Sequence, residues 1–165
     1  MRNIALGLLM VILLSIFIEP LVEFLNVYRE RIVLGSALTN AARAAKNRSL
    51  VYESQRQLDA KVNQDRFVDL FSESFEDAMQ LRLEKRDGHT LSFSSVDGKY
   101  NDFTVTLKFE ETTDDASERT ISKVTVIAES DYKFKTKYLK LADDAGKDVT
   151  YKLIEERKLL LSVKN

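Results

Sequence analysis

Two carboxylates stand at the edge of the most apolar stretch of this 165-residue chain: Glu19 and Glu23, with Pro20 between them. Four positions apart on a helix, the two acids share a face. A carboxylate in hydrocarbon is costly unless neutralised, paired or wetted, so such acids are functional candidates by default. The plain reading places Glu23 at the outer interface within reach of water. For Glu19, directly after the apolar core, a wetted position and a paired, assembly-related one both stay open. Other chemistry is sparse. His89 is the single histidine, set in the turn Asp87-Gly88-His89-Thr90, where neither a positioned partner nor a cleft is expected. Asp114, Asp115 and Glu118 supply oxygen ligands of the type calcium takes, but at a spacing matching no known loop, and read as a solvated acidic turn. Asn47-Arg48-Ser49 is a formal glycosylation acceptor of a kind that arises often by chance. No glycine-rich phosphate loop and no cysteine occur, which removes thiol catalysis, disulfides and cysteine-held metals. The formal net charge of -1 carries no nucleic-acid footprint. The chain is expected to have no catalytic residues, metal or cofactor, and not to be an enzyme.

The element that must position the two acids is the amino-terminal helix. Ile4 to Ile18 contains no charged residue, and Leu21 and Val22 continue the apolar character past Glu19 and Pro20. That gives roughly 20 residues, the length a helix needs to cross a bilayer. A cleaved secretory signal is the competing reading, but the residues beyond the core, SIFIEPLVEF, lack the small side chains a cleavage site requires. Retention as an anchor is therefore expected, with a kink near Pro20. Arg2 precedes the span while Arg29 and Arg31 follow it. Lysine and arginine counts alone would thus place the carboxyl-terminal side inside the cell. We expect an anchor over residues 1–28 and one α+β domain over 29–165, the domain including a continuation of the helix through 29–49.

On that continuation Leu34, Leu38, Ala41 and Ala45 recur at helical spacing on one face, widened by small alanines. The face fits packing on the chain's own sheet, and it also fits a seam with another subunit, since small residues let backbones approach. Leu50 to Val62 reads as a short helix or connector. A second helix over Gln64 to Leu81 follows, with Asp65 as its cap and Phe67, Phe71 and Phe75 on its inner face. From Leu83 the period becomes two. Leu91 and Phe93 lie between the turn signals Asp87-Gly88 and Asp97-Gly98. Strands are expected at Phe103 to Phe109, Ile121 to Ala128 and Tyr132 to Tyr138, with Glu110 to Glu118 a long turn, and Val149 to Val163 is read as a strand or a bent pair of strands. Lys133, Lys135 and Lys137 would form a solvent face. Strands after helices argue α+β with an antiparallel sheet.

Three stretches together resemble the TadE-like family, the minor pilins or pseudopilins of tight-adherence pili. They are Val22-Glu23-Phe24 on the first helix, Ala37-Leu38-Thr39-Asn40-Ala41-Ala42-Arg43-Ala44-Ala45 beyond it, and Tyr132-Lys133-Phe134 running into Tyr138-Leu139 and a late glycine. The resemblance implies a pilin-like fold, an inward-facing amino terminus and an exported domain. It also implies partners in other pilin or pseudopilin subunits and in an inner-membrane platform, and contact with membrane lipid. It implies assembly through Glu19, Pro20, Glu23, Leu34, Leu38, Ala41 and Ala45. Members usually carry a glycine before a cleaved bond and a glutamate five residues into the mature chain. Here Gly7 would put Ile12 in the glutamate's place, and counting back from Glu23 puts the bond after Ile18, with no glycine. The expectation is an unprocessed anchor. The rival from a different class is a membrane-tethered binding module whose sheet captures a ligand and whose helix is only a tether.

Overall fold

The computed structural model describes residues 2–52, 60–114, 119–146 and 151–164. It begins with α1, Arg2–Ser49, a single 48-residue helix that at 1.5 Å per residue is about 72 Å long. Pro20 lies inside it, and the helix runs on uninterrupted. This helix is long and apolar enough to cross a membrane. Next come β1, Leu50–Tyr52, and β2, Ala60–Val62, paired antiparallel from Leu50↔Val62 to Tyr52↔Ala60. The expected helix or connector over Leu50 to Val62 is therefore a strand pair at both ends. Leu50, Val51, Tyr52 and Val62 are mostly β-branched or aromatic and favour extended backbone. The centre of that stretch, 53–59, lies outside the described residues.

Helix α2 spans Gln64–Met79. Its cap is Asn63, not Asp65: Asn63 has extended backbone (φ -75°, ψ 111°), and its Oδ1 accepts from the Arg66 amide at 3.0 Å. Asp65 sits inside the first turn, where a carboxylate favours the positive helix end, and faces Arg86 at 3.4 Å. The helix ends at Gln80, left-handed at φ 55° and ψ 50°, a conformation usually left to glycine. Phe67, Phe71 and Phe75 are fully buried and stack in sequence, their centroids 6.5 and 5.7 Å apart. Each such ring contributes about 1.5–3 kcal/mol by leaving water.

The sheet is an antiparallel meander of β3 (Leu81–Asp87), β4 (Thr90–Ser95), β5 (Phe103–Asp114), β6 (Arg119–Asp131) and β7 (Lys152–Lys164), in that order. The turn at Gly88 needs a φ of +56°, which costs glycine nothing. Alternation sends Phe103, Val105 and Leu107 of β5, and Val124, Val126 and Ala128 of β6, into the core. α1 and α2 lie over this inner face as a second layer, α1 packed mainly on α2 and along β7. The architecture is α+β, as the sequence order of helices and strands suggested.

Two stretches differ from expectation. The acidic segment continues β5 to Asp114 instead of turning at Glu110. Its backbone finds partners on β6, from Glu110↔Lys123 to Asp114↔Arg119, and Glu110 opposite Lys123 places unlike charges across the ladder. Residues 115–118 fall outside the described residues. The strand expected at Tyr132 to Tyr138 is absent. β6 ends at Asp131, residues 132–136 are irregular, and α3 occupies Lys137–Asp144. The amides of Lys135 and Thr136 are turned towards Glu23 instead of towards a neighbouring strand.

Candidate functional site

Glu23 is buried to 4 % exposure although it follows the apolar span directly. Its Oε1 accepts from the Tyr132 hydroxyl at 2.6 Å and from the Lys135 amide at 3.0 Å. Its Oε2 accepts from the Thr136 amide at 2.8 Å. The wetted interfacial position expected for Glu23 is thus replaced by a clasp: three donors from one short segment close on the carboxylate. Hydrogen bonds to a charged acceptor are the stronger kind, and they offset the cost of taking the charge from water. Burial, and then the bond to Glu23, push the Tyr132 hydroxyl well above the usual tyrosine range, so it remains a donor. Two turns further along, buried Glu30 pairs with the Lys135 ammonium.

Above the clasp, α1 is latched to β7. Arg31 Nε meets Glu155 Oε2 at 3.3 Å, and Arg157 meets the other oxygen of Glu155 at 2.6 Å. The Arg157 guanidinium lies over Gly35, where any side chain would displace it. Lys46 Nζ donates to the Leu160 carbonyl at 2.7 Å. Leu34, Leu38, Ala41 and Ala45 are fully buried in the chain's own core. Of the two uses open to that face, the domain takes it, and none of it remains as a surface for another subunit. Glu19 is half-buried and Pro20 exposed. The domain also reaches down α1 to Glu23, below the boundary expected at residue 28.

An exposed flank of α1 carries a different stripe, which borders Glu155 and Arg157 of the latch at Tyr28 and Ile32. Leu21, Leu25, Tyr28 and Ile32 recur at steps of four, three and four, and each is more than half exposed. Ile32 stands nine residues beyond Glu23, about 14 Å along the axis. The apolar surface of the first half of α1 therefore continues past the level where the domain begins.

The chain matches no protein-family model, no curated protein and no solved structure. Function must be argued from these contacts alone.

The remaining candidates are placed as follows. His89 is exposed at its turn, its ring edge-on to Phe109 at 5.0 Å. Among the described residues no group of acids and histidines is arranged to hold a metal; Asp115 and Glu118 lie outside them. Ser49 of the formal glycosylation pattern is buried, its hydroxyl donating to the Lys46 carbonyl at 3.3 Å. The lysine row is not a plain solvent face: Lys133 donates to the Gly98 carbonyl at 2.6 Å, and Lys135 serves Glu30. Sequence reading missed Glu30, Tyr132, Thr136 and Glu155. One signal for Glu30 was present. Stepping down α1 from Ala41 by alternating sevens and fours passes Leu34, Glu30 and Glu23, so these acids share the stripe that is apolar higher up.

Proposed function

We propose that the chain is a non-enzymatic, membrane-anchored subunit that assembles through its amino-terminal helix, of the kind represented by TadE-like minor pilins and pseudopilins. The supporting observation is the exposed stripe Leu21, Leu25, Tyr28 and Ile32. It extends beyond the span along an exposed flank of α1, with Tyr28 and Ile32 beside Arg31, Glu155 and Arg157 of the latch, where lipid no longer covers it and a helix from another subunit would. Exposed apolar surface beyond the length a bilayer covers marks an interaction site. In this reading the residues inferred from the resemblance divide into two groups. Glu23, Leu34, Leu38, Ala41 and Ala45 hold the domain to its own helix, and the exposed stripe meets the neighbours. The partners are other pilin or pseudopilin subunits and an inner-membrane platform, with the amino terminus inside the cell and the domain outside.

Leu25→Glu combined with Ile32→Glu tests the proposal in full-length protein in its native membrane. Neither residue belongs to the core, so protease resistance of the domain stays normal. Crosslinking to neighbouring subunits from positions on α1 falls several-fold. Unchanged crosslinking in a normally inserted double variant would overturn the proposal. Full activity after exchange of residues 1–28 for an unrelated anchor would favour the tethered binding module instead.

A further inference from the structure

Resting on the reading of α1 as a membrane span, we propose that α3 is a foot of the domain that lies on the bilayer surface, its lysines at the lipid phosphates and Leu141 at the acyl boundary. The height of α3 follows from the clasp. A hydrocarbon core of about 30 Å takes about 20 helical residues, which from Ile4 reaches Glu23. The segment bonded to Glu23, residues 132–136, is thereby held at the level of the headgroups, and α3 begins at the next residue, Lys137.

The direction of the sheet gives the same placement independently. β7 runs alongside α1 in the same sense, with Glu155 at Arg31 and Leu160 at Lys46. The start of β7 at Lys152 therefore points to the membrane, and its end at Lys164 points away. Lys152 pairs with Asp131, the last residue of β6, so the chain leaves the sheet for α3 at the membrane-facing end. The β4–β5 turn is at that end too, since Phe103 pairs with Ser130 and the Asn101 side chain donates to the Asp131 carbonyl at 2.9 Å.

Exposed apolar groups gather there. Beyond α1, the large hydrophobics exposed among the described residues are Val96, Leu141, Tyr151, Ile154 and Leu160. Val96 (63 %), Leu141 (55 %) and Tyr151 (42 %) lie on the turn, on α3 and just before β7, all at the membrane-facing end. On α3, Lys137, Lys140 and Leu141 share one exposed face with Asp144. An apolar side chain beside two lysines suits the headgroup layer, where the lysine stems lie along apolar surface and the ammonium groups reach phosphate. Tyrosine is likewise favoured at that depth. Asp144 offsets one of the two lysine charges and leaves the face at only +1, so the contact works on zwitterionic lipid and does not require an anionic bilayer.

The absence of cysteine makes single-site labelling clean. The full chain carrying Leu141→Cys, Leu13→Cys or Lys108→Cys is labelled with a nitroxide and reconstituted into phosphatidylcholine nanodiscs. Relaxation by dissolved oxygen is then compared with relaxation by an aqueous nickel chelate. The oxygen-to-nickel ratio at 141 is expected several-fold above that at 108, on the outer sheet face, and below that at 13. Lys137→Glu with Lys140→Glu, both exposed, should lower the ratio at 141 towards the value at 108. A ratio at 141 equal to that at 108, with 13 in hydrocarbon, would sink the membrane foot alone. An aqueous value at 13 would remove the spanning helix and the foot together. An unchanged ratio at 141 in the double lysine variant would overturn the role given to the lysines.

Discussion

The two halves of α1 are one helix with two kinds of surface. From Ile4 to Val22 nearly every side chain is exposed, and the apolar residues point in all directions. From Glu23 to Ser49 one stripe is buried, exposed apolar side chains are confined to Phe24, Leu25, Tyr28, Ile32 and Val33 near its start, and beyond them the exposed residues are polar or small. A helix apolar all round needs an apolar surrounding medium, whereas a striped helix needs one partner. The comparison also shows what joins them. At the boundary the contacts between helix and domain are polar, through Glu23, Glu30 and Arg31. Fully apolar packing starts only at Leu34. Where lipid would compete for greasy side chains, the domain is fixed by hydrogen bonds and ion pairs that lipid tails cannot supply.

The largest expected effect breaks the upper half alone. Leu38→Ala removes a fully buried side chain and should cost the domain about 2–5 kcal/mol, measured by chemical denaturation of the detergent-solubilised chain. Leu14→Ala, the same change in the exposed lower half, should leave that midpoint where it is. Equal losses would mean that the halves are not energetically distinct. Next is the joint itself. Glu23→Ala strips the acceptor from the Tyr132 hydroxyl and from two amides, at about 2–3 kcal/mol for bonds to a charged group. Hydrogen exchange should quicken at Lys135 and Thr136 while amides of β5 keep their protection. Uniform loss of protection would instead make the clasp part of the core. The smallest effect compares two glycines. A methyl group at Gly7 meets nothing within 4 Å, whereas at Gly35 it meets the Arg157 guanidinium, the far end of a flexible side chain. Gly35→Ala should therefore displace Arg157 yet leave stability within about 1 kcal/mol, since alanine's helix propensity offsets the lost contact.

Much of this was legible in the residues. The long apolar helix follows from its unbroken run of apolar residues. The aromatic stripe of α2 and the alternating β4, β5 and β6 follow from periodicity, because each of these buries a face whose spacing is set by local geometry. Asp87-Gly88 and Asp97-Gly98 marked real turns. What failed was decided by distant partners. Tyr132 to Tyr138 alternates like a strand, but a carboxylate more than a hundred residues away takes its amides. Glu110 to Asp114 has the composition of a turn but is held straight by β6. Glu23 was legible as an unusual acid, and its partners were not, since nothing local links an acid on the first helix to a tyrosine after the sixth strand. The face of Leu34, Leu38, Ala41 and Ala45 was correctly drawn, but periodicity gives a face without saying what covers it.

The latch between α1 and β7 has a consequence for biosynthesis. Glu155 and the Leu160 carbonyl, which grip the first helix, belong to the element that follows all the others described. The first helix therefore leaves the ribosome long before the strand that closes over it is made. During that interval Gly35 lacks its arginine and β6 lacks its edge partner, so the nascent chain is sticky. A chaperone or a slow step late in translation would act on that unfinished state.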